Sequence, residues 1–297
     1  MAVTVAVNGA VTAAVTATVT ATSGVAGSFT HQGRRLAYVE HGSGPRALVL
    51  THGLLMDRRM YTALAPTLAA RGHRVLTIDM IGHGGSDQPV DLAAHSMTQY
   101  GHDVIALLDH LEIEQAVVGG TSLGANVALE AAVAAPARVR ALVLEMPVLE
   151  NGIVAAAAVF VPLALALRTS KRGMGLLARV TRRIPRSHFL IDMMIDFVRR
   201  DPARSLAVLD GLMFGRIAPP AVLRRLLTQP ALIIGHEKDP IHPFTDAEAT
   251  ARELPNARLV HARAIYEWRL WPARLDAELT RFLDDVWSHP QAVAAAG

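Results

Sequence analysis

The residue best placed to do chemistry in this chain is Ser122, in the run Ala116-Val-Val-Gly-Gly-Thr-Ser-Leu-Gly-Ala-Asn-Val-Ala-Leu129. Gly120-Thr121-Ser122-Leu123-Gly124 fits the pattern G-x-S-x-G, which sets a serine on a sharp turn between a strand and a helix. The glycines let two backbone segments pass without Cβ clashes and leave the hydroxyl prominent. A serine so placed is a candidate nucleophile, provided that a base takes its proton. The same five residues also suit a plain small-residue helix start, so the surrounding elements must decide. The chain has no cysteine, which excludes disulfides, thiolate metal sites and a thiol nucleophile.

The elements that would position Ser122 follow from the hydrophobic pattern. Two short alternating segments, 28–32 and 35–40, predict a hairpin leading into Arg46-Ala-Leu-Val-Leu-Thr51, a continuous apolar run suited to a strand buried on both faces. Residues 60–70 have helical spacing. A strand over 74–79 then empties into Met80-Ile-Gly-His-Gly-Gly-Ser-Asp87, a glycine-rich loop, and residues 98–111 read as an amphipathic helix. Further strands are predicted at 140–145, 230–235 and 257–261, with a last helix over 272–286. Alternating apolar strands and helices predict an α/β fold, a mainly parallel sheet of about eight strands flanked by helices.

The chain divides accordingly into an Ala/Val/Thr-rich extension over 1–26, a core over 27–145 and 230–290, and a helical insertion over 146–229. The extension lacks the basic start of a secretory signal and reads as poorly ordered, or as an edge strand in part. A cytoplasmic location is the default expectation. The insertion opens with an apolar run, 153–167, too short to span a bilayer and expected to break at Pro162. Beyond it Arg168, Lys171, Arg172, Arg179, Arg182, Arg183, Arg186, Arg199 and Arg200 face few acids, chiefly Asp192 and Asp196. Such a lid is either a buried helix beside a solvated face, or a pocket wall beside a surface for anionic lipid or substrate. The net charge is only +3, so nucleic acid is not implied.

Strand-HG, strand-D-x-x-G-H-G-G-S-D, strand-G-x-S-x-G-helix and strand-G-x-x-x-D occur in that order, and over about 27–286 the chain resembles the cap-containing serine hydrolases of the α/β-hydrolase fold superfamily. The resemblance implies Ser122 as nucleophile and Asp239, in Gly235-His-Glu-Lys-Asp-Pro-Ile-His-Pro243, as the acid. It implies the backbone N–H groups of Leu54 and Leu123 as oxyanion donors. It makes the Asp79–Asp87 loop mostly structural, with His83 more a loop holder than a substrate contact. No metal or organic cofactor is needed for that chemistry.

The departure is the histidine, expected after the last strand. That loop reads Ala262-Arg-Ala-Ile-Tyr-Glu-Trp-Arg269, with Glu267 near the expected place. A carboxylate cannot take a serine proton and return it at neutral pH unless its pKa is strongly raised. The candidate bases are His242, three residues past Asp239, and His261, near the end of the last strand, with His52 and His236 behind them; absence of a working base is the remaining alternative. Glu267 is either the carboxylate partner of a relocated His242 or, with Arg269, part of a salt bridge tying the loop down. Glu145, at a strand end, is a substitute acid or an ordinary buried carboxylate.

Two function classes follow. One is a hydrolase cleaving a hydrophobic carboxylic ester or related acyl compound through an acyl-enzyme on Ser122, with carbon-carbon hydrolysis and transfer to another acceptor also open. The serine argues against the superfamily's epoxide and haloalkane branches, whose nucleophile is aspartate. The other is a non-catalytic binder of a hydrophobic small molecule that has lost its proton relay. Peripheral membrane contact by the insertion is a further expectation, and oligomeric state is not legible.

Overall fold

Eight strands form one sheet in the order β1-β2-β4-β3-β5-β6-β7-β8. This computed structural model describes residues 24–169, 179–181, 183–185, 192–193, 195–196, 199–265 and 267–289. Residues 1–23 of the N-terminal tract, and Lys171, Arg172, Arg182 and Arg186 of the lid, lie outside the described residues. β1 (Val25–His31) and β2 (Arg34–His41) make the expected hairpin, starting within the stretch assigned to the extension. β2 pairs antiparallel with β4 (His73–Asp79), and from β4 onward all neighbours are parallel.

The parallel strands are apolar because both faces are covered. In β3 (Arg46–Thr51) and β5 (Ala116–Thr121) nearly every residue is buried. One face packs on α2 (Met97–His110) and α3 (Leu123–Ala134), the other on α1 (Leu64–Ala69) and the C-terminal helix. The helix expected over 60–70 is split: Arg58–Tyr61 is a 3-10 turn capped by the Asp57 side chain, and α1 follows it. The split lets Tyr61 turn inward, where its hydroxyl donates to Thr51 O at 2.9 Å.

β6 (Val139–Glu145) and β7 (Ala231–His236) are joined by the insertion, which contributes α4 (Gly152–Thr169), α5 (Pro202–Met213) and α6 (Ala221–Arg224). α4 runs unbroken through Pro162, contrary to the sequence expectation. Pro162 removes the donor that an ordinary residue would offer the Ala158 carbonyl, and it does so on an exposed face of the helix, where its ring meets no packed neighbour. α4 packs on α5 through Ala164, Leu167 and Leu209, and Leu54 and Leu55 join this small cluster from the core. α7 (Phe244–Glu253), β8 (Ala257–Ala262), α8 (Glu267–Leu270) and α9 (Ala273–Ser288) complete the chain.

Candidate active site

Ser122 lies between β5 and α3 with φ 56° and ψ −112°, a left-handed conformation that costs a non-glycine residue on the order of 1–3 kcal/mol. Its neighbours hold it there. The Ser122 amide donates to Glu145 O at 2.8 Å, and Thr51 Oγ1 donates to Gly119 O or Gly124 O at 3.0 and 2.9 Å. The flanking glycines are required by close approach: a Cβ on Gly120 would lie 2.4 Å from Thr51 O, and one on Gly124 2.0 Å from it. The strain is therefore imposed by the crossing of β3 over the turn.

The loop between β7 and α7 brings Asp239 and His242 to the serine. Asp239 Oδ1 accepts from the amides of Ile241 and His242 at 2.8 and 3.0 Å, a turn that aspartate side chains favour. This leaves Oδ2 at 2.7 Å from His242 Nδ1, while His242 Nε2 stands 2.8 Å from Ser122 Oγ. With the proton on Nδ1, the imidazole donates to the carboxylate and accepts from the serine hydroxyl. Burial alone would raise the Asp239 carboxyl, but the hydrogen bonds from the His242 ring and the two amides outweigh it and hold it below the usual carboxylate range.

The other proposed site residues lie elsewhere. β8 continues through Ala262, so His261 is still in the strand; its ring is exposed, 3.2 Å from Glu237 Oε1 and tilted at 55° against the Phe244 ring. It makes no contact with Ser122. Glu267 does not join His242 either: it begins α8 and takes Arg274 Nε at 2.7 Å, together with the Arg263 amide. The Arg274 hydrogen bond holds its carboxyl below the ordinary value. Glu267 thus takes the salt-bridge role, but with Arg274 in place of Arg269. His236 donates to or accepts nothing from Ser122, its Nδ1 being 2.8 Å from Ala264 O.

Arg269 was the residue whose reach sequence reasoning missed. It extends from the loop after β8 to Glu145 Oε2 at 2.6 Å and Thr121 Oγ1 at 2.8 Å, directly behind the serine. Burial would raise Glu145, but the Arg269 charge, the His236 ring 3.8 Å away and the Thr121 hydroxyl bring it down to about 2. The only sequence signal was an arginine in a buried-looking loop and a lone carboxylate at a strand end.

Leu54 and Leu123 both line the cavity with Ser122, and among the described residues neither amide donates to a protein acceptor. The loop carrying Leu54 is braced by two histidines. His83 Nε2 accepts from the Leu55 amide at 3.3 Å, and His52 Nε2 accepts from the Met80 amide at 3.1 Å. The rings lie 4.8 Å apart, and burial pushes His52 down to about 4 and His83 well below its ordinary value. Both are neutral bracing groups, as the loop-holding reading of His83 expected.

Above the serine is a cavity of about 530 Å³, walled by Ile153, Ala156 and Phe160 of α4 and by Leu209 and Leu212 of α5. Its basic residues are already engaged: Arg216 grips Glu130 at 2.7 and 2.5 Å, and Arg224 pairs with Glu253 at 3.0 Å. The space therefore suits an apolar group beside Ser122 rather than an anion.

A family model for the alpha/beta hydrolase fold matches residues 46–171. Bifunctional epoxide hydrolase 2 of Mus musculus is 39% identical over 110 residues, 37% of this chain and 20% of that protein. The 2-hydroxymuconate semialdehyde hydrolase of a Pseudomonas species is 39% identical over 109 residues, 35% of this chain and 33% of that protein. The matched stretches thus span a third or less of these relatives. The enol-lactonase of Burkholderia xenovorans LB400 superposes with a TM-score of 0.70 at 24% identity, over 89% of this chain and 100% of that one. Sheet order, turn geometry and these likenesses agree, and the chain has the α/β hydrolase fold.

Proposed function

We propose that this protein is a serine hydrolase acting on a hydrophobic carboxylic ester or a related acyl compound. The observation that carries the reading is the unbroken line from Asp239 through His242 to Ser122, at 2.7 and 2.8 Å. Ser122 Oγ attacks the substrate carbonyl as its proton passes to His242 Nε2, and Asp239 holds the ring in the accepting tautomer and stabilises the imidazolium that forms. The Leu54 and Leu123 amides bind the oxyanion of the tetrahedral intermediate; one such donor is worth roughly 3 kcal/mol of barrier. The same His242 then returns the proton to the leaving group, and water repeats the sequence to release the acid.

The apolar cavity supports an apolar acyl or alcohol group. A serine at the turn, rather than a carboxylate, supports acyl chemistry over epoxide opening. The intact relay weighs against a purely binding role. The test is covalent labelling by a fluorophosphonate, followed by mass. Wild type should gain one adduct, Ser122→Ala none, and His242→Ala should label at least about a thousandfold more slowly. His261→Ala should label at the wild-type rate. A folded wild type that does not label, or a His242→Ala variant that labels normally, would sink the proposal.

A further inference from the structure

The cap helix α4 is apolar on the side that faces away from the protein. Its exposed positions 154, 158, 161, 162, 165 and 166 are Val, Ala, Val, Pro, Leu and Ala, recurring every three to four residues as one stripe. In a helix packed on a globular core that stripe is normally polar. Here Val154 is 77% exposed and Leu165 59%, and no charge appears before Arg168. The apolar run 153–167 was expected to be too short to span a bilayer, but α4 extends it to 18 residues and is the one described helix long and apolar enough to do so by length and composition; yet it lies along α5 over the cavity, with 17% of its length buried. Phe214, just past α5, adds a 76% exposed aromatic ring. An exposed apolar stripe of this kind marks a partner or a lipid phase.

The charge distribution selects the occupant. The insertion, 146–229, holds thirteen Arg and Lys against five Asp and Glu, whereas the whole chain is only +3, so the remainder is net acidic. A second copy would bring the same cationic insertion against this one. An anionic bilayer offers both an apolar interior for the stripe and negative charge for the insertion's cationic excess, which remains after Arg216 and Arg224 are paired with Glu130 and Glu253. The stripe is also continuous with the cavity, because Ile153 and Val161 are exposed and line it as well, as does exposed Met213 at the end of α5.

We propose that the outer face of α4, with Phe214, docks this protein on an anionic lipid surface, so that an apolar substrate passes from the lipid into the cavity without crossing water. Docking stands on the surface alone; substrate entry rests on the hydrolase reading above. The experiment is co-sedimentation of the full chain with phosphatidylcholine vesicles, with and without about a fifth phosphatidylglycerol. Wild type and Ser122→Ala should bind the anionic vesicles equally, and neutral vesicles at least about tenfold more weakly. Val154→Glu/Leu165→Glu and, separately, Phe214→Glu should lose at least about tenfold in binding while keeping wild-type fluorophosphonate labelling in solution. Retained labelling shows that these variants fold. Equal binding by the glutamate variants, equal binding to neutral vesicles, or a dimer broken by the same substitutions without vesicle binding would each overturn the proposal. Loss of labelling in wild type with vesicle binding intact would instead remove the hydrolase reading and leave docking standing.

Discussion

Acid should unfasten the loop that carries Leu54 before it affects the rest of the fold. His52 is fully buried and held near 4, against 6.5 when solvated. Above about pH 6.5 both folded and unfolded chains hold this imidazole neutral, and it contributes no pH dependence. As pH falls through the window from 6.5 toward 4, the unfolded chain takes the proton first, so stability is lost with decreasing pH and the loss levels off below 4. Between about pH 7.5 and pH 4.5 the loss from His52 alone is about 2.5 kcal/mol, at about 1.4 kcal/mol per unit. His83, depressed in the same direction by burial and by the neighbouring ring, adds to it. Urea unfolding of wild type and His52→Gln at the two pH values isolates the effect, because glutamine keeps one donor and one acceptor but does not titrate. The variant should lose less stability by roughly that amount. Identical pH dependence in the two proteins would refute the neutral-brace account of His52, and with it the claim that buried imidazoles set the position of the Leu54 amide.

Two further substitutions probe the ground on which the serine stands. Gly124→Ala places a methyl 2.0 Å from Thr51 O and should cost about 3 kcal/mol or more and abolish labelling, whereas Gly53→Ala meets nothing closer than 3.6 Å and should cost less than about 1 kcal/mol; thermal melting decides both. Arg269→Met strands the buried Glu145 and should cost about 3–5 kcal/mol at neutral pH, with part of the loss recovered by adding Glu145→Gln. In wild type the Glu145 carboxylate is held near 2 by Arg269, so its contribution is complete above about pH 4.5 and fades toward 2. Without the arginine, burial lifts the carboxyl instead, and the deficit of Arg269→Met relative to wild type should shrink as pH is lowered from about 7 to 5.

The strands were legible because a doubly covered parallel sheet writes itself as uninterrupted apolar runs; β3 spans Arg46–Thr51 as its residues suggest. The helix at 60–70 was not read correctly, since Tyr61 is pulled inward by Thr51 and Thr121, contacts that no local periodicity encodes. Ser122 and Asp239 stood out through motif and order. His242 could be ranked but not fixed, because its ring direction depends on how Asp239 Oδ1 folds the loop onto two amides. Glu267 and Arg269 are adjacent in kind and nearly so in sequence, yet their partners lie at Arg274 and at Glu145. Long-range charge pairing leaves no spacing signal, so the two roles could not be told apart beforehand.

On the proposed hydrolase reading, acid and base share one loop, and this changes what that loop must do. When the two groups come from different strand ends, their separation is set by the rigidity of the sheet. Here it is set by a three-residue turn whose own hydrogen bonds use one oxygen of the acid, so Asp239 shapes the turn with Oδ1 and orients the imidazole with Oδ2. Pro240 and Pro243 flank His242 and narrow the backbone freedom of the turn, which favours the whole unit moving together rather than the ring alone. On the same reading the loop after β8 takes no part in proton transfer and can serve another end. Arg269 and Glu145 fill the space behind Thr121 with a charge pair whose carboxylate is held well below its ordinary value, and so brace the strained turn without competing with His242 for the serine.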